Sequence, residues 1–356
     1  MSDTSRSSLS FLCFGAGAIG TYIGGSLILS GHPVVFLDRP ELAPGLREHG
    51  LCIERGGTKY AIPAPRIATS LEEALTYGPF DAAILAVKSF DTQALVESIL
   101  PYKVALPPII CFQNGVENEP LLVKELGEDK VIPATVTTAI GRGQAGSIVV
   151  ERLRGIGLHA DHVLSANLEG VMAVAQLNPR LYENAPAMKW SKMLTNLLAN
   201  ASSAILNLSP AEIFAHPGLF RMEMEMLREA LRVMKAMALP VIDLPGTPVR
   251  MLAFAGGSLP PSLSQPLLRP SLGKGRGAKM PSFHIDLYAG RGRSEVDYLN
   301  GAVVRAGKRL GVPTPVNQLL NQTLLALTLG EIPIERYAGK PEEFLDLLKG
   351  GKNSFI

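Results

Sequence analysis

Apolar and polar positions alternate in blocks from the start of the chain. Leu9–Phe14 has the pattern of a buried strand, Ala18–Ser30 of a helix and Val34–Leu37 of a second strand. Leu42–His49 follows as a short helix, and Leu51–Ile62 as a hairpin around Gly56-Gly57. Ala82–Val87 is an unbroken apolar run, as expected of a strand covered on both faces. Thr92–Leu100 and Glu119–Leu126 are predicted helices, and Pro108–Phe112 and Val131–Thr138 predicted strands. Strands alternating with helices predict an α/β fold whose N-terminal part is a Rossmann-type, doubly wound parallel sheet.

The period changes near residue 180, and the C-terminal part is predicted to be all-helical. Met188–Leu206 is one helical run without Gly or Pro, and His216–Leu239 is a long helix rich in Met and Leu, suited to an internal core or a homodimer face. Leu244–Pro281 is rich in Pro, Gly and Ser, carries a basic GKGRGAK run near its end, and is predicted to be a long loop or lid with one short helix around Met251. Helices are predicted over Ser294–Leu310, stopped by Gly311-Val312-Pro313, and over Val316–Thr328. The expected division is residues 1–182 and 183–356.

Ser7–Leu37 contains no Asp, Glu, Lys or Arg and could pass for a membrane span or a signal peptide. Five glycines between Phe11 and Ser30 and the break at Gly31-His32-Pro33 favour strand, turn, helix and strand instead. Composition narrows the classes further. With 47% hydrophobic and 19% charged residues the chain can bury large cores, and a net charge of +2 gives no field for nucleic acid. Three cysteines (Cys13, Cys52, Cys111) without CxxC spacing, and six histidines without ligand spacing, point to no disulfide framework and no metal, and fit a cytoplasmic protein.

Gly15-Ala16-Gly17-Ala18-Ile19-Gly20 is a G-x-G-x-x-G placed between a strand and a helix that leads to a second strand. That context makes it a dinucleotide site: the glycines let a diphosphate approach the backbone at a helix N-terminus. The second strand ends in Asp38-Arg39. An acid there suits the ribose of NAD, and an arginine the 2′-phosphate of NADP; Arg39 favours NADP(H). Lys88 and Asn114 follow two further apolar strands, where a ligand crevice is expected; Lys88 is a candidate phosphate or ribose contact and Asn114 a candidate contact of both ligands. Lys192, Asn196 and Asn200 recur at i, i+4 and i+8, a polar stripe on one face of an otherwise apolar helix that a polar substrate would satisfy. Lys192 is the candidate proton donor to a developing alkoxide, with Lys189 a competitor whose neighbours do not continue the polar face. Glu295 opens a helix, where Ser294 with Asp297 resembles a capping box.

The succession GAGAIG, Arg39, AVKSFDT, QNG, KMLTNLLAN and SEVDYLNGAVVRAGKRLGVPTP resembles the ketopantoate reductase (2-dehydropantoate 2-reductase) family over nearly the whole chain. The resemblance implies NADPH reduction of a 2-keto acid in pantothenate biosynthesis, with an active site in a cleft between a Rossmann domain and a helical domain. It implies that Lys192 is the catalytic lysine and that Asn196, Asn200 and Ser282 bind substrate. Asn114 is shared by cofactor and substrate, Arg39 and Lys88 bind cofactor, and Glu295 lies at the junction of the two ligands. Met280-Pro281-Ser282-Phe283 departs from the family's N-x-S-S-M-type run: only Ser282 survives, and Met280 and Phe283 replace polar residues. That departure leaves open a different 2-keto acid or an imine as substrate. A non-catalytic NADP-binding regulator is the reading from another class.

Overall fold

The computed structural model describes residues 8–144, 146–260, 263–268 and 279–350. The chain divides into two compact units, Met1–Lys189 with Leu244–Thr247, and Trp190–Asp243 with Pro248–Ile356. The division falls inside the helix Ala185–Leu197, C-terminal to the expected 182/183 boundary.

The first unit holds twelve strands among the described residues: β1 (Phe11–Phe14), β2 (Val34–Leu37), β3 (Leu51–Arg55), β4 (Thr58–Ile62), β5 (Arg66–Ala68), β6 (Ala82–Leu85), β7 (Ile109–Cys111), β8 (Val131–Val136), β9 (Ala139–Arg142), β10 (Ser147–Arg152), β11 (Ile156–His159) and β12 (Pro179–Tyr182). Eight form one sheet in the order β12-β11-β8-β7-β6-β1-β2-β5. From β8 to β5 every pairing is parallel; β11 runs antiparallel to β8, and β12 parallel to β11. Residues β1 and β6 are wholly buried, which is why their sequences are unbroken apolar runs rather than alternating ones.

The helix Ala18–Leu29 packs closely on this sheet: a Cβ on Gly24 would meet the Phe36 ring at 2.8 Å. The uncharged N-terminal run is thus strand, helix and strand, and no described helix is long and apolar enough to cross a membrane. The expected hairpin Leu51–Ile62 forms, but it belongs to a second sheet, β4-β3-β10-β9, in which β10 joins it from far along the chain.

In the second unit the helix Pro217–Ala236 is the centre. Its Met222, Met224, Met226 and Leu227 are buried within the unit. Two fully buried carboxylates on it cap other elements. Glu229 accepts the N–H groups of Val316 and Asn317 at 2.8 and 2.9 Å, at the start of the helix Pro315–Leu329. Glu223 accepts the N–H of Ala199 at 2.7 Å and binds the Ser202 hydroxyl.

That second cap corrects the single helix expected over Met188–Leu206. The run is two helices, Ala185–Leu197 and Asn200–Leu206, separated at Ala199 in the left-handed conformation (φ 51°). The physical cause is the Glu223 carboxylate, which supplies the Ala199 N–H with the acceptor that an unbroken helix would have provided. The segment expected to be a long loop contains the helix Val249–Ser258, and most of the basic GKGRGAK run lies outside the described residues.

Candidate functional site

Four of the candidate cofactor positions lie just past the C-terminal ends of β1, β2, β6 and β7, four adjacent parallel strands. The chain leaves β1 for β2 on one side and comes back to β6 on the other, so this edge is a topological switch point, where open α/β sheets form their ligand crevice.

The glycine loop follows β1. Gly15 has φ +93°, a conformation open to glycine, and its N–H is held by the Leu37 carbonyl at 2.9 Å. A Cβ on Gly20 would land on the Gly15 carbonyl oxygen, so the helix can begin this close to the strand only with glycine there. A Cβ on Gly17 would meet nothing within 4 Å. Gly17 is exposed and is the N-cap of Ala18–Leu29, with no side chain capping the first turn. The loop therefore leaves open space directly over uncapped N–H groups at the positive end of a twelve-residue helix. Ala16, Ala18 and Ile19 continue this turn, Ala16 buried and the other two half-buried.

Asp38 ties this loop to β2. Its Oδ2 accepts the Ala16 N–H at 2.6 Å and its Oδ1 accepts the Arg39 N–H at 2.8 Å, so both carboxylate oxygens are engaged by backbone. The Arg39 side chain is exposed and has no hydrogen bond or ion pair among the described residues.

Lys88 and Asn114 are presented by two turns that a buried polar network joins. Gln113 Nε2 donates to the Val87 carbonyl at 3.0 Å and to Thr92 Oγ1 at 2.8 Å. Asn118 Nδ2 and Ser89 Oγ donate to the Asn114 carbonyl at 2.7 and 2.9 Å. Lys88 is half-buried and the Asn114 side chain is exposed. Gln113, Ser89, Thr92 and Asn118 are residues that pattern reading missed. Only the QNG turn marked their neighbourhood, because short polar residues in loops carry no periodicity.

In the second unit Lys192 and Asn196 lie one turn apart on Ala185–Leu197, both half-buried. Asn200 opens the next helix, past the break at Ala199. Its amide braces that break: Nδ2 donates to the Asn196 carbonyl at 3.1 Å and Oδ1 accepts the Phe283 N–H at 3.2 Å, which leaves one N–H on Nδ2 and one lone pair on Oδ1. Lys189, the competitor, belongs to the first unit and is buried. Its ammonium donates to the Gln113 carbonyl (2.6 Å) and the Ala134 carbonyl (3.1 Å) and is ion-paired with Glu119 Oε1 at 2.6 Å, so it is committed to internal partners rather than to a substrate.

Ser282 is exposed at the start of the helix Ser282–Tyr288. Phe283 beside it is 1% exposed and part of the core, so the departure that it represents concerns packing and not a substrate surface. Glu295 is 4% exposed and is the N-cap of the helix Val296–Leu310, one residue before the helix proper. The expected capping box is absent. Ser294 Oγ accepts the Val296 N–H at 3.2 Å, while Asp297 is drawn away by Arg305 at 2.9 Å and by Asn321.

Against known proteins, two family models match in succession: "Ketopantoate reductase PanE/ApbA" over residues 11–158, and "Ketopantoate reductase PanE/ApbA C terminal" over residues 184–328. The chain belongs to the ketopantoate reductase family. This membership places it among the oxidoreductases and accounts for both units. Among curated relatives, the 2-dehydropantoate 2-reductase of Archaeoglobus fulgidus is 27% identical over 89% of this chain and 95% of its own length. That of Aquifex aeolicus is 24% identical over 90% of this chain and 97% of its own. Among solved structures, a PanE/ApbA family ketopantoate reductase from Ralstonia eutropha JMP134 superposes with a TM-score of 0.76 at 25% identity, covering 90% of this chain and 98% of that one. D-mandelate dehydrogenase, solved with NADH and anilino(oxo)acetate, has the same fold, with a TM-score of 0.72 at 21% identity over 90% of this chain and 98% of its own.

Proposed function

We propose that this protein reduces a 2-keto acid of the 2-dehydropantoate type with NADPH, by hydride transfer with Lys192 as proton donor. The observation that carries the reading is the glycine loop: open space above Gly17, set over uncapped helix N–H groups, in a chain that both family models cover. A diphosphate fits such a cradle. Gly15–Gly20 would hold it, Arg39 would take the 2′-phosphate through a planar guanidinium that no internal acid competes for, and Lys88 and Asn114 would contact the rest of the dinucleotide. The engagement of both Asp38 oxygens by backbone favours a structural role for that acid over ribose binding. When bound, the nicotinamide supplies a hydride.

The remaining chemistry belongs to the chain. Lys192 holds a proton at Nζ, neutralises the charge that develops on the keto oxygen, and gives that proton up as the alkoxide forms. Asn196, one turn away, and Asn200 with its remaining N–H and lone pair orient the substrate, and Ser282 and Glu295 complete the polar set. Asn114 serves both ligands.

The test is NADPH oxidation by the purified protein with ketopantoate, repeated with NADH, and with Lys192→Ala. Turnover with NADPH is expected, slower with NADH. The variant should lose about 10²–10⁴ in kcat while still binding NADPH. Unchanged turnover in the variant would refute the assignment of the lysine. NADPH binding without oxidation by ketopantoate or any of a panel of 2-keto acids would refute the reductase reading.

A further inference from the structure

The buried ammonium of Lys189 has no place in the proton chemistry above, yet it is held by three acceptors. One is the carbonyl of Gln113, the peptide that leads into Asn114, at 2.6 Å. The peptide that follows is held too: the Asn114 carbonyl accepts Ser89 Oγ and Asn118 Nδ2. Both peptide planes that flank the Asn114 Cα are therefore fixed by buried groups, while Asn114 itself is exposed. This backbone sets the direction in which the Asn114 side chain leaves the turn.

The network also reaches Lys88. Gln113, whose carbonyl Lys189 holds, donates its side-chain amide to the Val87 carbonyl, the peptide that leads into Lys88. A shift of the Gln113 backbone would thus move both turns. Glu119 makes the cation tolerable. Its Oε1 is buried and forms no hydrogen bond of good geometry among the described residues, but it lies 2.6 Å from Lys189 Nζ. An ammonium that needs a buried counter-ion in order to hold two backbone carbonyls is a costly way to stabilise a fold, since apolar pairs of the same volume commonly do as well. Its advantage is directional: charged N–H bonds to the Gln113 and Ala134 carbonyls fix both in place.

We propose that Lys189, neutralised by Glu119, is a positioning residue for the nicotinamide half of the dinucleotide, acting through the Gln113–Asn114 peptide and, through Gln113, on Lys88. This inference rests on the functional reading above.

The experiment is equilibrium titration of the full-length protein with NADPH and, separately, with adenosine 2′,5′-bisphosphate, a probe that spans only the Arg39 end. The variants are Glu119→Gln, Lys189→Met and the double variant, which leaves no unpaired buried charge if Lys189→Met alone does not fold. In Lys189→Met, or in the double variant, NADPH should bind about tenfold or more weakly and the bisphosphate within twofold of wild type, the loss expected for one charged hydrogen bond. Glu119→Gln, which strips the buried ammonium of its counter-ion, should weaken NADPH and spare the bisphosphate in the same selective way. Equal weakening of both probes would mean general loosening of the unit and would overturn the proposal, as would unchanged NADPH affinity in a folded double variant. If the wild-type protein binds neither probe, the functional reading itself falls.

Discussion

Two methyl groups, added three residues apart in the glycine loop, should fail in opposite ways. At Gly17 the backbone is extended (φ −71°, ψ −169°), which alanine adopts without strain, and the new Cβ meets nothing within 4 Å. Gly17→Ala should therefore leave the fold intact, or stabilise it by about 0.4–1 kcal/mol through the narrower unfolded ensemble. The same methyl occupies the space through which a diphosphate would reach the helix N–H groups. Each charge-assisted bond lost is worth about 1.5–3 kcal/mol, or about 10- to 150-fold in the Kd for NADPH. At Gly20 the Cβ lands on the Gly15 carbonyl oxygen and also meets Cys13 Sγ at 3.3 Å. Backbone must move, at a cost of about 1–3 kcal/mol, and melting should fall by about 2–4 °C per kcal/mol. NADPH fluorescence titration with parallel thermal melts separates the two. If Gly17→Ala bound NADPH as wild type does, the loop would not be the diphosphate cradle, and the argument from its geometry would collapse.

Arg39→Ala should raise the KM for NADPH by about tenfold or more and leave the KM for NADH nearly unchanged, because the guanidinium has no internal partner to lose; steady-state kinetics with both cofactors decides it. Phe283→Ala should cost about 3–5 kcal/mol of stability by denaturant titration, as for a fully buried aromatic, whereas a substrate-facing side chain would change KM and not stability. Ser209→Ala should cost about 1 kcal/mol, since Ser209 and Glu212 form a reciprocal capping box on the helix Pro210–Ala215. Bonds from Ser209 hold the Glu212 carboxyl below its ordinary 4.5. A depressed folded-state pKa stabilises above 4.5, and that stabilisation is lost as pH falls through the lower folded value. Melting temperature against pH below 4.5 should show this loss in wild type, and Glu212→Gln should flatten it.

The sequence by itself determined what depends on neighbours along the chain. The apolar blocks Phe11–Phe14 and Ala82–Leu85, the turn at Gly15–Gly20, the hairpin at Gly56-Gly57 and the helix stop at Gly311 are local patterns, and they appear where periodicity and glycine place them. The motifs that carry family membership are equally local. Only the tertiary structure decided which partner satisfies each polar group. Glu223 meets the Ala199 N–H and breaks a run that propensity reads as one helix, which places Asn200 at the start of a second helix. The Gln113 and Ala134 carbonyls and the Glu119 charge hold Lys189, and Arg305 takes Asp297 away from a capping box. Phe283 turns into the core at a position where the sequence pattern suggested a substrate surface. Each of these outcomes turns on a hydrogen bond, a charge or a packing contact between residues distant in the chain. Burial makes an unsatisfied donor or charge costly enough to override local preference, and no spacing rule records which distant group will satisfy it.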